Sequence, residues 1–92
     1  MERERKPRKN PEIVFREESD DVSLLFNPAD GSLFGLNPVG VFVWKRLDGR
    51  QGRAEILGQM QRQCRGVPED AARQIDAFIE QLAVKGLIVY DE

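Results

Sequence analysis

The hydrophobic period changes once along this chain, at Asn37-Pro38, and that change dictates what the chain can fold into. Ahead of it apolar residues alternate along short runs; behind it they recur every three to four positions. A period of 2 belongs to a sheet face and one near 3.6 to a helix face. Sheet first and helices after, within 92 residues, is an α+β arrangement on one core, because two cores would need roughly twice the length.

The first half reads as an antiparallel meander of three strands between Glu12 and Leu36. Ile13 and Phe15 alternate with Val14 and Arg16, and the charged stretch from Glu17 to Asp21 makes a turn. Val22, Leu24 and Phe26 then alternate with Ser23, Leu25 and Asn27. Asn27-Pro28-Ala29-Asp30-Gly31 is dense turn chemistry, since proline fixes φ while Asp and Gly favour a reversal. Ser32-Leu33-Phe34-Gly35-Leu36 is the third strand, thinned at Gly35 so that another backbone can approach closely.

The second half reads as three helices and a short C-terminal strand. Asn37 caps the first helix and Pro38 opens it; Val41, Phe42, Val43, Trp44 and Leu47 make it apolar as far as Asp48-Gly49. The second helix begins at Gly52 or Arg53, carries Ile56, Leu57, Met60 and Cys64 on one face and stops at Gly66. Pro68 opens the third, with Glu69 and Asp70 in a first turn where the macrodipole favours anions. Ala71, Ile75, Phe78, Ile79 and Leu82 form its apolar stripe, Lys85-Gly86 closes it, and Leu87 to Tyr90 form the last strand. The few residues around Gly66-Val67-Pro68 give helix-turn-helix spacing, and with the hairpin this predicts a winged-helix-like topology.

Composition removes several functions. The chain has no histidine, which excludes His-based acid–base catalysis, the usual triads and the common zinc sites. No GxGxxG or GxxxxGK[ST] spacing is present. A non-enzymatic protein without a cofactor is expected. A single cysteine cannot form an internal disulfide and fits a reducing compartment; Cys64, beside Met60 and Ile56, is expected to be a buried thiol. Trp44 is either core or a partner contact. Without a signal-like start or an apolar run of the ~18 residues that span a membrane, the expected location is cytoplasmic. The acidic pairs Glu17-Glu18 and Asp20-Asp21 are expected to be solvated or to guard a sheet edge.

Charge is unevenly placed. Residues 1–10 carry a net +3 and the remainder −5, which gives the chain's −2. Residues 1–11 read as a mobile basic tail, either solubilising or an electrostatic arm, and residues 12–92 as the folded domain. Glu69, Asp70, Asp76 and Glu80 outnumber Arg73 and Lys85 around the third helix, so a DNA duplex would repel the face a recognition helix needs. A winged-helix DNA-binding protein, using helix three, the more basic helix two and its approach (Arg50, Arg53, Arg62 and Arg65) and the tail, is therefore the alternative reading.

The favoured reading is a surface one. Small sheets blunt their edges with charge or bulges, yet Ser32 to Leu36 carries no charge. Beside the amphipathic third helix it would make a groove in which an extended peptide adds a strand. About five backbone hydrogen bonds at ~1 kcal/mol net each, with a few buried side chains, would give micromolar or somewhat tighter binding.

The run Val22 to Gly49, VSLLFNPADGSLFGLNPVGVFVWKRLDG, resembles the PqqD family. The shared features are a short hairpin, a Leu-Asn-x-x-Gly step, an apolar-Trp pair and a Leu-Asp-Gly helix end. Downstream, Glu55-Ile56 and the ordered series Ile75, Phe78, Ile79, Leu82, Gly86, Leu87 and Ile88 extend the likeness over residues 12–90. The resemblance implies a winged-helix peptide chaperone, or recognition element. Such a protein binds the leader segment of a ribosomally made precursor peptide and presents it to a modifying enzyme, typically a radical SAM protein. It implies a leader lying along Ser32, Leu33, Phe34, Gly35 and Leu36, against the side of helix three bearing Gln74, Phe78, Gln81 and Lys85. Whether Phe78 lines that groove or sits in the core stays open. Gly52 stands where the family often has a Ser or Thr cap, leaving the Glu55 half of a capping box, and Gln74 stands where Asp is frequent. Family members occur beside different enzymes, so pyrroloquinoline quinone production does not follow, and a homodimer is left open.

Overall fold

A computed structural model of the chain describes residues 6–19 and 22–90. Its elements are β1 (Pro7–Lys9), β2 (Val14–Glu17), β3 (Ser23–Asn27), β4 (Ser32–Leu36), α1 (Pro38–Trp44), α2 (Arg53–Gln63), α3 (Ala71–Val84) and β5 (Ile88–Tyr90). The expected meander, three helices and terminal strand are all present, so the α+β winged-helix-like reading holds.

The meander is antiparallel in the order β2-β3-β4. Phe15, Leu25 and Phe34 stand in one cross-strand row, and Val14, Phe26 and Leu33 in the next. Because neighbouring rows face opposite ways, the first row turns inward and the second outward. Leu25 is 1% exposed whereas Leu33 is 66% exposed. At the β3–β4 turn, Gly31 adopts φ +76° and donates its N–H to the Asn27 carbonyl at 2.8 Å, a left-handed position that glycine takes without a Cβ clash.

The core is built where the three helices meet the inward sheet face. Val43, Leu47, Ile56, Ile75, Ile79 and Leu82 are essentially inaccessible, and Trp44 is buried with them. Trp44 is thus core rather than a partner contact. Asn37 caps α1 as expected: its side-chain oxygen accepts the Gly40 N–H at 2.8 Å, with Pro38 in the first turn. The Glu55 half of the capping box is also formed, its carboxylate accepting the Gly52 N–H at 2.7 Å.

Several expectations are corrected. The segment read as a mobile tail is structured from Pro7 onward, while residues 1–5 lie outside the described residues. β1 pairs antiparallel with β5, Arg8 opposite Val89, and on its other side Arg8 bridges to Asp48. The Leu47 carbonyl accepts the Lys9 N–H and the Pro7 carbonyl accepts the Gly49 N–H, at 3.1 and 3.0 Å. Backbone pairing on two sides holds this strand, so it needs no alternating apolar side chains, and Pro7 is fully buried. The same pairing ends α1 at Trp44 rather than at Asp48-Gly49, because residues 47–49 turn away to meet β1.

Cys64 is exposed, not buried. α2 stops at Gln63, and Cys64 follows as an extended C-cap with φ −113° and ψ 150°. The helical stripe through Ile56 and Met60 therefore does not reach it. α3 begins at Ala71, so Glu69 and Asp70 precede its first turn. Glu17 and Glu18 are exposed and ion-paired with Lys45 and Arg16, in keeping with an edge guard, while Asp20 and Asp21 lie outside the described residues.

Candidate functional site

The two edges of the meander differ in chemistry. The β2 edge carries Arg16 and Glu17, the first paired with Glu18 at 3.5 Å and the second with Lys45 at 3.7 Å. The outer edge of β4 carries no charged side chain and, among the described residues, no strand pairs with it. β5, the one other candidate to cover it, is committed to β1. An unpaired, neutral edge strand is what small proteins ordinarily avoid.

α3 runs antiparallel to β4 across an open groove of about 750 Å³. At the Leu36 end Gln74 lines the groove, in the middle Ala77, Phe78 and Gln81, and no charged side chain contributes to it. A smaller cavity of about 230 Å³ continues past Phe34 to the turn end, where Ser32, Leu33, Asp30 and Lys85 line it. Of the nine residues expected to bind peptide, Phe34, Gly35, Leu36, Gln74, Phe78 and Gln81 border the larger groove and Ser32, Leu33, Phe34 and Lys85 the smaller cavity, while Leu33 stands in the outward row of the sheet.

The floor is aromatic. The Phe34 and Phe78 rings lie 6.0 Å apart, tilted by 54°, within the range where an inclined pair is favourable. Both are half-buried, which answers the open question: Phe78 packs on the core edge and still lines the groove. A Cβ on Gly40 would come to 3.3 Å from the Phe78 ring, so a side chain at position 40 would make the ring give by a few tenths of an ångström. The Lys85 ammonium stands 5.8 Å from the Phe34 ring centroid. Gln74 donates its side-chain amide to Asp70 at 2.8 Å, which fixes that side chain at the groove mouth. Asp30 sits below the usual carboxylate range because the Ser32 side chain and backbone both hydrogen-bond to it.

Sequence reasoning missed the end wall. Val22, Asn37, Pro38 and Val39 also line the groove, the last three because the start of α1 packs across the trough where β4 ends. Asn37-Pro38 was visible as a helix start, but a capping signal carries no information about which surface the cap faces.

The family model described as Coenzyme PQQ synthesis protein D (PqqD) matches residues 23–88, from the second meander strand to the last one. The chain belongs to the PqqD family. Two solved structures share this PqqD fold. One is TbiB1 in complex with the TbiA(beta) leader peptide: 25% sequence identity, TM-score 0.69, covering 88% of this chain and 93% of that one. The other is a lasso peptide synthetase B1 complexed with the leader peptide: 23% identity, TM-score 0.71, covering 91% and 98%. No curated protein matches the PqqD-family chain in sequence. Among its described residues, no helix is long and apolar enough to cross a membrane.

Proposed function

We propose that this protein binds the leader segment of a ribosomally made precursor peptide as an added strand on β4, packed against α3. In this reading it acts in the cytoplasm without chemistry of its own, and presents the peptide to a separate modifying enzyme of the radical SAM or another peptide-modifying class. The observation that carries the reading is the neutral, unpaired edge of β4 facing an aromatic-floored groove. Leader peptides bound to two proteins of the same fold support it. An extended peptide on that edge gains main-chain hydrogen bonds for affinity, and alternate side chains reach the floor for selectivity. Holding the leader on a docked protein turns the meeting of peptide and active site into an effectively intramolecular event.

Titration of a candidate leader peptide into the protein and three variants tests this. In an antiparallel ladder, neighbouring residues point their N–H groups to opposite sides. One of Leu33→Pro and Phe34→Pro therefore deletes an outward donor. Ala77→Trp, at an exposed α3 position beside the groove, fills the trough without touching the core. The expected result is at least tenfold weaker binding in the outward-donor variant and in Ala77→Trp, with helical circular dichroism retained. Unchanged affinity in all three, each shown to be folded, overturns the proposal.

A further inference from the structure

Resting on strand addition at β4, we propose that the groove selects a peptide carrying a large apolar side chain opposite Phe34 and a carboxylate two residues away, opposite Ser32, where Lys85 receives it. An added strand places every second side chain on the α3 side, about 6.5–7 Å apart. The residue opposite Phe34 meets the Phe34 and Phe78 rings. The next inward residue, opposite Ser32, arrives at the cavity that Lys85 lines. The ammonium stands over the Phe34 ring, 5.8 Å from its centroid, so Lys85 borders both the ring and the small cavity beside Ser32.

Lys85, the residue that ends α3, is the one charge this side of the helix brings to the two cavities along β4. Asp76 is engaged by Arg53 at 3.2 Å, and Glu80 lines a further cavity with Arg53 and Tyr90, which Lys85 also borders. Among the described residues no carboxylate lies within ion-pair distance of the Lys85 ammonium. Asp30 shares the small cavity as a carboxylate that accepts the Ser32 N–H at 2.9 Å, so an incoming carboxylate has to sit on the Lys85 side of that cavity to escape its repulsion. The ammonium itself lies over the Phe34 ring on an exposed side chain, so a peptide carboxylate can join it with little further desolvation. A carboxylate opposite Phe34 itself would have to displace apolar contact, which fixes the order of the two side chains relative to β4.

Selection from a displayed library of short random peptides, on wild type, Lys85→Gln and Lys85→Glu, tests the inference. Wild type should enrich Asp or Glu two positions from an enriched large apolar residue. Lys85→Gln should lose the acidic preference and Lys85→Glu should exchange it for Lys or Arg. A recovered peptide whose acid is replaced by its amide should bind wild type roughly two- to fivefold more weakly, the scale of an exposed ion pair, and should bind Lys85→Gln no differently from its parent. Peptides that lose affinity on Ala77→Trp yet show no acidic preference, or retain it in Lys85→Glu, overturn the charge assignment while leaving strand addition standing. Recovered peptides that bind Ala77→Trp and both proline variants as well as wild type overturn strand addition, and the charge assignment with it.

Discussion

At Gly40 a helix gives up a side chain so that an aromatic ring can lie against it. Alanine there would place its Cβ 3.3 Å from the Phe78 ring, closer than the ring's present seat allows. The ring borders an open trough, so it can yield by tilting outward into space a ligand would use. Ala in place of Gly gains up to about 1 kcal/mol of helix propensity, which offsets the displaced contact. Gly40→Ala is therefore expected to change thermal stability little and to weaken peptide binding several-fold, as calorimetry and peptide titration on one preparation would reveal. A variant that lost stability and kept its affinity would contradict this account of the ring. Residue-scale legibility followed periodicity. The α3 stripe was readable at Ala71, Ile75, Ile79 and Leu82, all buried, because i, i+4 spacing survives in any packing. Cys64 was misread because one residue of helix length decides its environment, and local spacing cannot set where a helix ends.

Among the elements, β1 shows how backbone pairing can structure a sequence that looks disordered. Its three residues are Pro, Arg and Lys, yet it lies between β5 and the segment after α1. Truncation to begin at Asn10 is expected to cost about 2–4 kcal/mol, since several hydrogen bonds each worth ~0.5–1.5 kcal/mol net are lost with the burial of Pro7. Urea unfolding would register this as a lower midpoint, and an unchanged midpoint would return these residues to the status of a tail. The start of α2 adds a pH signature. The Gly52 N–H holds the Glu55 carboxyl below the usual carboxylate range, with Lys6 at 3.6 Å assisting. A depressed folded-state pKa means that the unfolded chain binds more protons in acid. The stabilisation is thus present at neutral pH and lost as pH falls from the ordinary carboxylate range through the folded value. Glu55→Gln keeps an oxygen to cap Gly52 but does not titrate, so its stability should decline less steeply in that window, with Asp30 and Asp48 supplying the remaining acid dependence. Element order was legible because turn and cap chemistry is local. The β1 pairing was not, because it joins the two ends of the chain.

For the molecule as a whole, the division of charge matters more than its total. The groove's main part has no charged lining, so peptide affinity should fall only modestly between low and high salt, by less than about tenfold. A duplex held by several cationic side chains would lose orders of magnitude over the same range. A steep salt slope for the peptide would point away from backbone pairing. Bound peptide should also raise stability through linkage, by about 2.7 kcal/mol at a hundredfold excess over Kd, and slow hydrogen exchange at the outward amides of β4. The site was half legible at this scale. A neutral strand and an amphipathic helix could be read separately, but their facing one another depends on long-range packing through Gly40 and Phe78.

Pro7 stands directly opposite Tyr90, so the two ends of the described chain lie side by side, about one strand spacing apart. A flexible tether grafted before Pro7 or after Tyr90 therefore starts from nearly the same point. An enzyme joined at either place would sample nearly the same volume around the groove, and swapping the order of the two modules in a single polypeptide should leave the transfer of cargo between them almost unchanged.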